Sequence, residues 1–192
     1  MQSYLDDLWH LEGFMHVLGR SKKCYIFSFE HAHDLQCIVA NGPYAVAGAL
    51  LIVDYWRPGL VLEKFVIPRA GIWVRMFGLP LECYTAEAGF CLGKAIGEVI
   101  QVDVDTVWPR NIRYLLLKVW ICLEAPLISG FFLTFSNGSH QWIECQYERI
   151  CRMCRKCGKI GHTDGQCAMS FQEGQTFVDN HLAQVANNWG LG

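Results

Sequence analysis

Four residues in the last quarter of the chain have the types and spacing of a metal site. Cys154, Cys157, His162 and Cys167 spell C-x2-C-x4-H-x4-C, three thiols and one imidazole within fourteen residues. Zinc suits such a set, because it is borderline-soft, accepts sulfur and nitrogen donors together and closes structural sites with four protein ligands. One Zn2+ held in this way keeps no open position for an activated water, so its expected role is structural. Gly158 and Gly161 sit where a tight loop over a metal needs positive φ. A segment this short buries no core of its own, so the metal must supply its folding energy, on the order of 10 kcal/mol for structural zinc, and without zinc it is expected to be disordered. The alternatives are disulfides or clustered free thiols, and a shifted register that pairs Cys151 with Cys154 and strands Cys157. The shift leaves seven residues before His162 and misplaces Gly158, which makes Cys151 a bystander or an occasional substitute ligand.

The residues around these ligands carry the binding chemistry. Between positions 149 and 167 five basic residues stand against the single acid Asp164, although the whole chain has a net charge of −2. Arg152, Arg155, Lys156 and Lys159 can contact phosphates, and Ile160 offers an apolar platform to an unstacked base, the combination that single-strand binders use. The expected function is zinc-dependent binding of single-stranded RNA or DNA. The alternatives are a merely solvated basic surface and a module that docks a partner protein.

The rest of the chain must position this loop. Its 192 residues suffice for one ordinary domain and a small appendage, and 52% hydrophobic against 18% charged residues is a folding composition. Apolar runs are interrupted well before the roughly 18 residues of a membrane-spanning helix, and the acidic start at Met1 lacks the pattern of a secretory signal. Six of the ten cysteines are scattered inside apolar segments, which points to a reducing, intracellular setting, nucleus or cytoplasm being left open.

Residues 1–11 have the spacing of an amphipathic helix end. Two β-prone runs, 14–18 and 24–29, form an expected hairpin across the charged turn 19–23, followed by a helix within 28–39 and a strand at 50–53. After a Pro-punctuated connector at 58–68, a strand is expected at 72–77, a helix capped by Thr85 over 86–96 with Gly97 at its end, and strands at 99–104 and 114–123. Residues 131–135 should pair with 142–147 across Asn137-Gly138-Ser139. The expected fold is α+β, a mostly antiparallel sheet with helices on one face, followed by a small zinc loop and a flexible tail. The expected domains are 1–148 for the α+β body, 149–168 for the zinc loop and 169–192 for a polar, weakly ordered tail.

No catalytic constellation emerges. His10, His16, His31, His33, His140 and His181 have no evident nucleophile or orienting partner, and Asp103 with Asp105 reads as a solvent-facing strand edge rather than a metal pair. Along 24–29, alternation puts Tyr25, Phe27 and Phe29 on one face. If that face is inward, no stacking rings remain outside and the body is a scaffold or protein-interaction domain.

The segment Cys154-Arg155-Lys156-Cys157-Gly158-Lys159-Ile160-Gly161-His162 resembles the CCHC zinc knuckle of retroviral and retrotransposon nucleocapsid-type proteins. Upstream, Gly42-Pro43-Tyr44, Trp56-Arg57-Pro58-Gly59, the run from Trp73 through Phe77 to Pro80, Ile96-Gly97-Glu98-Val99, Val102-Asp103 and Tyr147-Glu148-Arg149 resemble the marker segments of a plant domain family of unknown function. That family precedes a zinc knuckle in proteins similar to the first reading-frame product of LINE-type retrotransposons. The resemblance implies an RNA- or DNA-binding protein that packages or chaperones element RNA, or a domesticated or decayed copy of one, with self-association or a partner protein engaged through the α+β body. It also implies an N-terminal truncation that removes a strand and part of a helix. Where the family commonly has an aromatic or apolar residue between the first two cysteines, Arg155 and Lys156 fill both places, which favours phosphate contact over stacking.

Overall fold

The computed structural model describes residues 2–21, 24–104 and 112–188. The chain divides into two compact units, Met1–Pro43 with Leu51–Ile67, and Tyr44–Leu50 with everything from Pro68 onward. The expectation was a body over 1–148. Within it the chain returns to the first unit after residue 50, an excursion that local patterning does not reveal.

In the first unit, α1 (Gln2–Trp9) leads into β1 (Met15–Ser21) and β2 (Cys24–Phe29), an antiparallel pair with an irregularity between Val17 and Gly19. Lys22 and Lys23 of the expected turn lie outside the described residues. The next helix is α2 (Ala32–Asn41), starting later than expected because the extended pairing of β2 persists through Phe29. Leu5 on α1, Met15 on β1 and Ile38 on α2 are the buried apolar anchors of this unit. The Trp9 ring packs at 5.6 Å from Phe27 and 6.0 Å from Phe29, and Phe27 stacks on Tyr25. These rings gather on one face of the hairpin, as alternation requires. Asp34 on α2 accepts hydrogen bonds from the backbone N–H groups of Glu12 and Gly13 at 3.2 and 3.0 Å, tying the loop before β1 to the helix.

A short ribbon follows, β3 (Tyr44–Val46) and β4 (Ala49–Leu51), where one strand at 50–53 was expected. Ala47 and Gly48 both have positive φ, the signature of a tight two-residue hairpin turn. The connector contains a single 3-10 turn at Leu62–Lys64.

The second unit is built on a five-stranded antiparallel sheet in the order β6-β7-β5-β9-β8, from β5 (Arg69–Phe77), β6 (Glu98–Val102), β7 (Leu115–Cys122), β8 (Gly130–Thr134) and β9 (His140–Tyr147). Strict alternation decides its faces. Ile72, Val74 and Met76 on β5, Leu115, Leu117 and Val119 on β7, and Ile143 on β9 all point inward and are essentially inaccessible, each worth roughly 1.5–3 kcal/mol of burial. Against β6 and β7 lies α3 (Ala86–Gly93), whose Thr85 cap accepts from the Ala88 N–H at 3.1 Å. A Cβ on Gly89 would meet Val102, and one on Gly93 would meet Leu117 and Val99. The missing side chains let the helix sit close to the sheet. That helix ends at Gly93 rather than Ile96, and the chain turns instead to Gly97, where a side chain would strike the Trp120 carbonyl. Asp105, the second member of the Asp103 and Asp105 pair, lies outside the described residues. The architecture is α+β with mostly antiparallel sheets.

The segment expected as a weakly ordered tail carries α4 (Phe171–Asn188). Its start is held by a reciprocal cap in which the Glu173 N–H donates to Ser170 Oγ at 3.3 Å and the Ser170 N–H donates to the Glu173 carboxylate at 2.8 Å. Trp189 lies outside the described residues. No described helix is long and apolar enough to cross a membrane.

Candidate metal centre

The chain leaves β9 through Arg149, which has positive φ, and folds back on itself across an isolated antiparallel bridge between Met153 and Ile160. Within that fold the Gly158 N–H donates to the Cys154 carbonyl at 2.8 Å and the Cys154 N–H to the Lys159 carbonyl at 2.9 Å. These two bonds curl the backbone around one point. Gly158 and Gly161 have φ of +70° and +92°, the left-handed values expected of them. Gly161 donates to the Arg152 carbonyl at 2.9 Å, and the Arg155 N–H donates to the Asp164 carboxylate at 2.6 Å, closing the loop from both sides. The Thr163 N–H then donates to the Gln166 side chain at 3.2 Å and leads Cys167 into place.

The result brings Cys154, Cys157, His162 and Cys167 together, their donor atoms all within 4.8 Å of one another. Cys154 and Cys157 are buried and the other two half-buried. Cys157 Sγ and His162 Nε2 are 3.4 Å apart, near the roughly 3.6 Å edge implied by zinc–sulfur and zinc–nitrogen distances of about 2.3 and 2.0–2.1 Å. His162 beside Cys167, helped by the Met169 backbone, holds that thiol down at about 7, whereas burial raises Cys157. A dication at the centre would favour thiolate at all three cysteines. Three sulfurs, one imidazole nitrogen and two buried thiols fit one structural Zn2+. Cys151 stands outside the cluster, exposed, with its thiol 3.7 Å from the Arg149 carbonyl, so the shifted register is not the one adopted.

Residues 123–169 match the zinc knuckle family. Residues 1–64 match a domain of unknown function, DUF4283. The chain is also 22% identical over 151 residues to an uncharacterized protein of Arabidopsis thaliana, an alignment covering 79% of this chain and 48% of that protein. The chain thus spans about half the length of the curated relative it matches. No solved structure matches it.

The zinc knuckle match begins well upstream of the ligands, and the packing gives a reason. Leu127 donates its N–H to the Gly158 carbonyl at 2.9 Å, and a Cβ on Gly158 would lie 2.8 Å from Pro126 and 3.4 Å from Val178. Tyr147 fastens the same segment through a 2.8 Å bond from its hydroxyl to the Ile128 carbonyl. From the other side α4 presses Gly174 against the Lys156 carbonyl, where any side chain would collide, and Phe177 takes the Lys159 ammonium at 5.0 Å from its ring. The knuckle is therefore seated on neighbouring elements and is not a free appendage.

Of the residues expected to touch nucleic acid, Arg152 and Arg155 are exposed, while Lys156, Lys159 and Ile160 are half-buried. Met153, passed over in the sequence, stands 43% exposed across the bridge from Ile160. The signal for it was an apolar residue three positions after Ile150 in an otherwise basic run. Arg152 also lies beside Gly48 of the β3–β4 turn, its guanidinium 3.7 Å from where a Gly48 Cβ would stand.

Proposed function

We propose that the protein binds single-stranded nucleic acid, RNA or DNA, through the zinc knuckle, as a nucleocapsid-like protein derived from a retrotransposon. The observation that carries this reading is the surface around the closed metal cluster. Arg152 and Arg155 project from it, and Met153 and Ile160 form a neighbouring apolar step. Phosphate contacts and base stacking need these two components side by side. The resemblance of the ligand run to nucleocapsid knuckles, preceded by segments that resemble the plant domain family found upstream of such knuckles, supports the retrotransposon origin. A reducing intracellular compartment, which keeps the thiols available to zinc, goes with this reading. So does a non-catalytic role, since the protein supplies all four ligands.

A second reading has its own observation. Lys156 and Lys159 are engaged with α4, so the knuckle already makes a protein-protein type of contact and its free side can dock a partner. Salt separates the two readings, because phosphate contacts weaken steeply as salt rises and an apolar interface does not. In a salt-titrated assay with labelled single-stranded RNA and DNA, Arg152→Gln with Arg155→Gln should weaken binding and flatten the salt slope by about two. Chelation, Cys157→Ser or His162→Ala should remove the knuckle's contribution altogether. Affinity unchanged by all of these would reject the assignment.

A further inference from the structure

The face of the five-stranded sheet opposite its core has a composition that folding does not require. Along β5, inward Ile72, Val74 and Met76 alternate with outward Trp73, Arg75 and Phe77, and along β7 inward Leu117 and Val119 alternate with outward Lys118 and Trp120. The register sets Trp73 opposite Lys118 and Arg75 opposite Leu116. β5 and its neighbour β7 carry Arg69, Arg75 and Lys118 and no acid, while Glu98 on β6, Glu144 on β9 and Glu148 just beyond it lie on the flanks of the same face.

Cations and rings are interleaved there. The Arg69 guanidinium lies 4.9 Å over the Trp120 ring, Arg75 lies 4.9 Å over Tyr114, and the Lys118 ammonium is 5.8 Å from the Trp73 ring. Glu98 and Glu148 hold two of these cations at 2.8 and 2.6 Å, yet the Arg69 side chain remains 56% exposed. Lys118 is held below the usual lysine range by burial and by the neighbouring Arg149 charge. Rings beside cations, and guanidinium planes resting on rings, are the surfaces on which unstacked bases settle while phosphates reach the charges. An apolar protein partner makes no use of cations set among its rings.

We propose that this outer face is a second surface for single-stranded nucleic acid, with bases stacking on Trp73, Trp120 and the Arg69 guanidinium and phosphates meeting Lys118 and Arg75. The surface stands on the sheet and is independent of the knuckle reading. The expectation of a body without stacking rings was drawn from Tyr25, Phe27 and Phe29 of the other unit, and this surface does not involve them.

The experiment uses the full chain and a fluorescent single-stranded RNA of about 15 nucleotides, read by anisotropy. Cys157→Ser protein, whose knuckle cannot close, should still bind. On that background Trp73→Leu with Trp120→Leu should weaken binding about ten-fold or more, since stacking on one ring is worth roughly five- to hundred-fold. Lys118→Gln should reduce the salt slope by about one. Trp120→Phe should retain most of the affinity, and photo-crosslinks should map to the peptides of β5 and β7. Circular dichroism confirms that each variant keeps its sheet. Cys157→Ser protein that binds no RNA overturns the proposal and leaves the face to a protein partner. So does binding that persists unchanged in folded Trp73→Leu, Trp120→Leu protein, and neither result touches the knuckle assignment, which its own variants test.

Discussion

The knuckle and the five-stranded sheet display similar side chains on very different supports. Among the buried residues of the knuckle are two ligands, Cys154 and Cys157, and its backbone is held by a handful of hydrogen bonds. Behind the outer face of the sheet stand Ile72, Val74, Met76, Leu115, Leu117 and Ile143, all essentially inaccessible. In the first case coordination supplies the stability that a small loop cannot obtain from apolar burial. In the second, burial does so and leaves every other residue of each strand available for chemistry. A metal lets fourteen residues present cations, whereas a sheet needs five strands and gains a broad surface.

Removing zinc should break this pairing most decisively. Structural zinc contributes on the order of 10 kcal/mol in finger peptides, so chelation is expected to abolish amide protection from Cys154 to Cys167. The inward residues of β5 and β7 should keep theirs. Hydrogen exchange with and without chelator checks this, and sheet amides that exchange along with the knuckle would mean the two supports are one cooperative structure. Because Pro126, Leu127 and Gly174 touch the knuckle backbone, some loss of protection should spread to the Leu127 amide and to the first turns of α4.

The converse experiment empties the sheet. Met76→Ala deletes a fully buried side chain and should cost about 2–5 kcal/mol, lowering the denaturation midpoint while the folded protein still takes up one zinc per chain. Zinc stoichiometry falling in proportion to the midpoint would contradict separate support.

What the sequence revealed follows the same division. The knuckle was legible because its four ligands and two left-handed glycines are neighbours along the chain. Strand alternation in β5, β7 and β9 was legible for the same local reason. The shared outer face was not, since Trp73 and Lys118 are 45 positions apart and only the register brings them together. The return of residues 51–67 to the first unit was equally hidden. The helix α4 was missed because its apolar residues are sparse and Gly174 weakens a helix interior by about 1 kcal/mol relative to alanine. Its Ser170-x-x-Glu173 cap was readable all the same. Contact of Gly174 with the knuckle backbone gives that glycine its place.

Acid sharpens the comparison by adding a third kind of support, the carboxylate of Asp34. The backbone N–H groups of Gly13 and Glu12, with His31 and His33 nearby, hold its pKa below the usual 3.8 against a smaller opposing effect of burial. A carboxyl depressed in the folded state stabilises fully above its unfolded pKa and loses that contribution as pH falls through the lower, folded value. The contribution of the Asp34 carboxylate to the first unit should therefore be held down to about pH 4 and be lost below it. The knuckle should respond earlier, because protons compete with zinc for thiolates and imidazole well above that range, and the inner face of the sheet has no acid to titrate. Asp34→Asn keeps one acceptor oxygen and removes the charge, so its small destabilisation should be constant across the acid range and the step below pH 4 should vanish. Acid denaturation followed at amides of α2 and β1 reads this directly, and a step that survives in Asp34→Asn would assign the acid sensitivity of this unit to another group.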